Sequence, residues 1–133
     1  MKTYVDANLS SVNGTARWVW LNFGANDVGS MPAEATWKAN MTSIINSVRA
    51  KWPGVKVFIT RPWRRNFATE CNTLASWITD ICALYASDVV VGDDERIWLE
   101  NGDNGTTRTD DGIHPNAGAQ SIEAAVKIAV MSY

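Results

Sequence analysis

Apolar and polar positions along this chain alternate between two periods. Arg17 to Phe23 is a short, almost uninterrupted apolar run of the kind a strand buried on both faces shows. Beyond it, Trp37, Met41, Ile44, Ile45, Val48 and Trp52 recur at helical spacing, with Ser30 and Pro32 as the opening signal and Pro53-Gly54 as the stop. Val55 to Thr60 is a second buried strand. A second helix then carries Leu74, Trp77, Ile78, Ile81, Leu84 and Tyr85 on one face. Asp88 to Val91 is a third strand, and a turn-rich stretch over 92–113 has room for a short strand at Arg96 to Leu99. Asn116 caps a final helix with Ile122, Val126, Ala129 and Val130 inward. Strand–helix alternation of this kind predicts a parallel sheet with helices on both faces, in one domain over residues 1–133.

Composition narrows the possible roles. The 133 residues are 46% hydrophobic and 20% charged, and one core of that size is expected. A net charge of −2 gives no electrostatic case for nucleic acid or an anionic membrane surface. No apolar run approaches the ~20 residues of a membrane span, and Met1-Lys2-Thr3-Tyr4 does not open a signal peptide. The compartment is not legible. Cys71 and Cys82 fall in one predicted helix, about 16 Å apart at 1.5 Å per residue, too far for a disulfide. They are expected as free thiols in the core. Four N-x-S/T sequons (Asn8, Asn13, Asn40, Asn104) matter only in a eukaryotic secretory setting.

Two short motifs carry chemistry. Asp111-Gly112-Ile113-His114, followed by Pro115, holds the only histidine. A carboxylate on one ring nitrogen fixes the tautomer and leaves the other nitrogen free to accept a proton. Taken alone, Asp-Gly is equally a turn. Gly24-Ala25-Asn26-Asp27 directly follows the first strand, where open α/β sheets place ligands. An Asn26 amide there can donate to an oxyanion, an interaction worth about 3–4 kcal/mol in acyl transfer. Alone, it is equally an Asn-Asp turn.

In this order the two motifs resemble the third and last blocks of the SGNH (GDSL-type) esterase and lipase family, and the resemblance extends from about Thr15 onward. It implies a three-layer α/β/α, flavodoxin-like fold and ester hydrolysis through an acyl-serine, with no cofactor or metal. By that resemblance His114 is the general base, Asp111 its orienting acid (Asp110 if the register slips by one) and Asn26 the oxyanion donor. Gly24 and Asp27 support the loop. One small departure is that the glycine usually following the last block arrives one residue early, at Gly118.

The family's first block, a Gly-Asp-Ser segment bearing the nucleophile, has no match. The second-block glycine has only Gly14 as a candidate, misplaced before the strand. Seventeen residues precede Trp18, whereas two strand–helix units need roughly sixty. None of the nine serines follows a strand with an elbow-like turn; Ser10 and Ser11 fit a helix leading into the strand, and Ser30 a helix cap. The nucleophile is therefore unassigned, and this chain alone is expected to be inactive or weak toward esters.

With the first two strands of the 2-1-3-4-5 order missing, Arg17–Phe23 becomes an unprotected edge, inviting a homo-oligomer or an upstream fragment. Expected substrates are small esters or acylated carbohydrates. Arg61, Trp63 and Arg64 are candidate substrate contacts, or simply a solvated loop; Trp63 and Trp98 are candidate cleft linings. Asp93, Asp94 and Glu95 lack the ligand spacing of a calcium loop, and one histidine with two distant cysteines makes no zinc site. A non-catalytic binding or assembly module on the hydrolase scaffold is the alternative, and a fragment with no selected role is a third possibility.

Overall fold

The computed structural model describes residues 9, 13–85, 87–99, 108, 109 and 111–131. Ser10, Ser11, Asp110, Asn8 and Asn104, named above, lie outside these. Three strands, β1 (Trp18–Leu21), β2 (Lys56–Arg61) and β3 (Val89–Asp94), form a parallel sheet in the order β1-β2-β3. Val19, Val57 and Val89 stand in register, as do Leu21, Ile59 and Val91 one pleat further on. The chain is an α/β protein with a parallel sheet and helices on both of its faces.

Those aligned side chains point to one face, covered by α1 (Glu34–Lys51) and α2 (Ala68–Ala83). Both helices follow the apolar spacing of the sequence. Trp37, Met41, Ile44, Ile45 and Val48 of α1 interlock with Leu74, Trp77, Ile78 and Ile81 of α2 in one continuous core. Burying each large apolar side chain contributes about 1.5–3 kcal/mol, so this face supplies most of the driving force for folding. Cys71 and Cys82 are buried free thiols in it.

The other face is smaller and partly polar. The Trp20 indole N–H donates to the Thr60 hydroxyl at 2.7 Å, which donates to Asp93 Oδ1 at 2.5 Å, one bond per neighbouring strand. Trp20 stacks on Phe58, and Gly92 opposite them leaves no room for a side chain, since a Cβ would sit 2.6 Å from the indole. The last helix, α4 (Ala117–Met131), lies over this face, with Lys127 above the Trp20 ring. A second core of Trp63, Trp98, Leu99 and Ala119 fills the space beneath it.

Several expectations are corrected. Arg96 to Leu99 is not a strand: α3 (Glu95–Trp98) is a single helical turn, because the Asp94 carboxylate caps the Arg96 N–H. Ser30 does not cap α1. It ends a 3₁₀ turn, Asp27–Ser30, and the helix starts at Glu34 with Ala33 as its N-cap. Leu84, just past the end of α2, is 74% exposed, and Ala129 of α4 faces solvent. β1 is shorter than its apolar run and is not buried on both faces: Trp18 is 52% exposed. Among the described residues β1 pairs only with β2, so it lies at the sheet's edge.

Candidate active site

Beyond the carboxyl ends of β1 and β3 lies a cavity of about 220 Å³, and its lining includes Asn22, Gly24, Asn26, Glu95 and His114. They come from three segments: the loop after β1, the residue after β3 and the loop before the last helix. Leu21 ends β1, and Gly24 at φ +119° turns the backbone so that Asp27 and Val28 both donate to the Gly24 carbonyl, at 2.9 and 3.2 Å. That conformation favours glycine. Pro62 and Leu74 press on the same atom: a Cβ would lie 3.1 and 3.2 Å from them. Asn26 sits at the crest of this turn in ordinary αR backbone, and its side chain makes no cap hydrogen bond. Asp27 accepts the Trp37 indole N–H at 2.9 Å, which fastens the turn to α1.

His114 reaches the cavity on the loop before α4. Asp111 Oδ1 accepts the backbone N–H groups of Ile113 and His114 at 2.9 and 2.8 Å, and Oδ2 lies 2.6 Å from His114 Nδ1. These bonds, led by the His114 backbone N–H and then by the ring, hold the Asp111 carboxyl well below the usual carboxylate range. An ionised Asp111 accepts from Nδ1–H, so the proton-accepting lone pair falls on Nε2. The ring is largely exposed, with 73% of its side-chain surface open. Asn116 caps α4 by accepting the Ala119 N–H at 3.1 Å.

The loop after β2 braces the site and does not line the cavity. Trp63 is 5% exposed, packed with Trp98 in the second core, so neither tryptophan lines the cleft. Arg61 leaves toward Asp94 and the Thr79 hydroxyl. Arg64 stacks on Phe67 and lies against Gly29, behind the Asn26 turn. Arg65 donates its backbone N–H to the Gly112 carbonyl at 2.9 Å and its guanidinium to Thr109 at 2.9 Å. It thereby steadies the loop that carries His114. Asp94 is engaged by Arg61 and Arg96, and no group of three metal-binding side chains occurs among the described residues.

Sequence reasoning passed over Glu95. Its carboxyl is 4% exposed, yet it accepts the Asn22 side-chain amide at Oε1 and the Trp63 backbone N–H at Oε2, both at 3.1 Å. Burial, with help from the nearby Asp93 charge, pushes its pKa up to about 7. A carboxyl so displaced, in a cleft, is a signature of functional sites. The only trace in the sequence was its place in an acidic triplet at a strand end.

Known proteins share the fold of this chain, and one family model matches its sequence. The chain is similar to a carbohydrate esterase family 3 structure from Talaromyces cellulolyticus (TM-score 0.70, 20% identity, 96% of this chain and 62% of that one). It is also similar to an acetyl esterase (0.67, 23%, 87% and 57%) and to TesA (0.73, 20%, 98% and 69%). The chain thus spans about three-fifths of the length of the first two. No curated protein sequence matches it significantly. The family model for the GDSL-like lipase/acylhydrolase family matches residues 3–122. A parallel α/β sheet with both family motifs at its carboxyl edge, together with that match, places this chain in the GDSL-like lipase/acylhydrolase family, a family of esterases and acylhydrolases.

Proposed function

We propose that the chain supplies the acid–base and oxyanion half of a serine esterase site, and that it is inactive or weak until a serine-bearing segment joins it. The observation that carries this reading is the sharing of one cavity by Asn26 and a His114 already oriented by Asp111. In the complete site, the serine hydroxyl gives its proton to His114 Nε2 as its oxygen attacks the ester carbonyl. The oxyanion accepts the Asn26 amide N–H, the protonated imidazole passes its proton to the departing alcohol, and water repeats the sequence to release the acid. Asp111 stays ionised throughout, balancing the imidazolium. Among the described residues no serine lines the cavity, which supports a nucleophile from outside them, and the edge of β1, unpaired among the described residues, is the place where such a segment would add.

A short acyl group is the substrate class we favour. The cavity is smaller than the roughly 300–1,000 Å³ of sites for drug-sized ligands. The names of the carbohydrate and acetyl esterases among the similar structures support an acylated carbohydrate. The test is hydrolysis of p-nitrophenyl acetate, butyrate and octanoate, with fluorophosphonate labelling. The chain is assayed alone and co-expressed with a Gly-Asp-Ser-bearing strand–helix segment of the same family. Alone, labelling is absent and hydrolysis near background; together, the segment's serine labels, acetate is preferred, and His114→Ala abolishes turnover. Labelling of a serine in this chain alone overturns the division of labour. A stable complex that never turns over favours an assembly module on the hydrolase scaffold.

A further inference from the structure

We propose that Glu95 is a positioning residue whose buried carboxyl ties the ends of all three strands together and sets the Asn26 turn against the His114 loop according to its protonation. The inference takes its functional meaning from the esterase reading, but its geometry stands independently.

The tie spans the three described strands. Asn22 is the first residue beyond β1, Trp63 stands two residues beyond β2, and Glu95 itself immediately follows β3. One carboxyl thus receives a bond from each of the two neighbouring strand ends, 73 and 32 residues away in sequence. Asn22 is also the take-off point of the turn that presents Asn26, two residues before Gly24. Pro62, adjacent to Trp63, is the residue Gly24 packs on. Moving the Asn22 bond therefore shifts a residue that lines the cavity His114 completes, and moving the Trp63 bond shifts the neighbouring Pro62 against which Gly24 rests.

Both partners of Glu95 are donors. An ionised carboxylate accepts from each without rearrangement, whereas a protonated one carries a hydrogen that must point somewhere. Toward Trp63 it would meet another N–H. Toward Asn22 it is satisfied only if the amide turns over to offer its oxygen. Protonation thus has a specified structural consequence at Asn22. The charges that bear on the group are Asp93 from β3 and Glu123 from α4, both disfavouring ionisation. Lys127 of α4 is paired with Glu123 and acts on Asp93; Asp27 and His114 line the same cavity. Burial and the two acids place the switch near neutrality.

The test is NMR on the whole chain carrying His114→Gln, which removes the imidazole's own protonation from the signals. Between pH 5 and 9 we expect the Asn22 side-chain amide, the Trp63 backbone amide and the backbone amides of Gly24 to Asn26 to follow one titration curve with a midpoint near neutrality. Adding Glu95→Gln abolishes that curve while leaving the dispersed spectrum of a folded protein. Flat Asn22 and Trp63 signals in His114→Gln overturn the proposal, as does a curve that survives Glu95→Gln. So does movement at Asn22 and Trp63 that leaves Gly24 to Asn26 unmoved, since the carboxyl would then be merely structural. If the double variant fails to fold, the curve in His114→Gln alone decides. None of these readouts needs turnover, so the outcome is separate from that of the esterase assay.

Discussion

Asp111 holds His114 at two places at once: Oδ1 accepts its backbone N–H at 2.8 Å while Oδ2 lies 2.6 Å from ring Nδ1. The first bond shapes the loop and the second selects the tautomer. Asp111→Asn separates them. The carboxamide oxygen still accepts the two backbone N–H groups, but its NH₂ now faces Nδ1 and favours the wrong tautomer. We expect the ring ¹⁵N shifts to report the exchange of tautomers while the fold persists. In the completed enzyme kcat/KM should fall by about 10²–10⁴. The wild-type loop also has a defined acid limit. Asp111 titrates in the folded chain below its unfolded value of about 3.9, so its stabilisation is fully present above that value. It is lost only as pH falls through the folded one. The Ile113 and His114 amide shifts should therefore hold through pH 4 and change well below it.

How much of this was legible in the sequence depends on the range of the interaction. The register-forming strands and the α1 and α2 core faces came from local periodicity, and Trp37, Ile44, Leu74 and Ile78 are buried where that periodicity put them. Asp111 and His114 are three residues apart, so their pairing was a local inference too. Arg96–Leu99 misled because Arg-Ile-Trp-Leu has strand-like composition, and a single capping carboxylate at Asp94 turns it into a helix. Trp63 and Trp98 have no periodic neighbours, so nothing local announced that α4 would cover them. Glu95 was illegible for the same reason. A carboxyl becomes a buried hub only through Asn22 and Trp63, partners that no local pattern specifies.

Gly24→Ala tests the turn. The new methyl would meet Pro62 and Leu74 at 3.1 and 3.2 Å on a backbone at φ +119°, conditions that cost about 1–3 kcal/mol for a non-glycine residue. Urea denaturation should show a loss of that size with an unchanged m-value. Relief of the strain would move the Asn26 amide out of the cavity, so activity in the completed enzyme should fall further than stability alone explains.

Glu95→Gln should make the chain more stable, and only at the higher end of the pH range. The folded pKa of about 7 lies above the ordinary 4.5, so the folded state holds its proton longer than the unfolded state. The contribution of Glu95 to wild-type stability is greatest below about pH 4.5 and declines as pH rises toward 7. Glutamine has no proton to lose. The difference between the two proteins should therefore grow through that window, to at most about 3 kcal/mol, in chemical denaturation series at pH 5, 6, 7 and 8. A constant difference across the series would show that the carboxyl keeps its ordinary titration.

Trp63→Ala distinguishes a core tryptophan from a substrate contact. At 5% exposure, with Trp98, Leu99 and Ala119 around it, truncation should cost about 3–5 kcal/mol and lower the thermal midpoint by more than ten degrees for a domain of this size. A variant that keeps its midpoint but loses affinity for ester substrates would return Trp63 to the cleft.

Trp18→Lys addresses the edge of the sheet. β1 pairs with β2 alone among the described residues and carries a half-exposed tryptophan at its first position. Unpaired strand edges with apolar side chains recruit further strands, and a lysine on the edge opposes this by keeping its charge hydrated. Because Trp18 is already half in water, the substitution should leave stability within about 0.5 kcal/mol. It should instead weaken association of the chain with itself, or with the serine-bearing segment, by an order of magnitude or more. Light scattering at micromolar concentration and pull-down of the co-expressed segment measure the two cases. If wild type and Trp18→Lys are both monomeric and capture the segment equally, the edge of β1 is not where the sheet is completed.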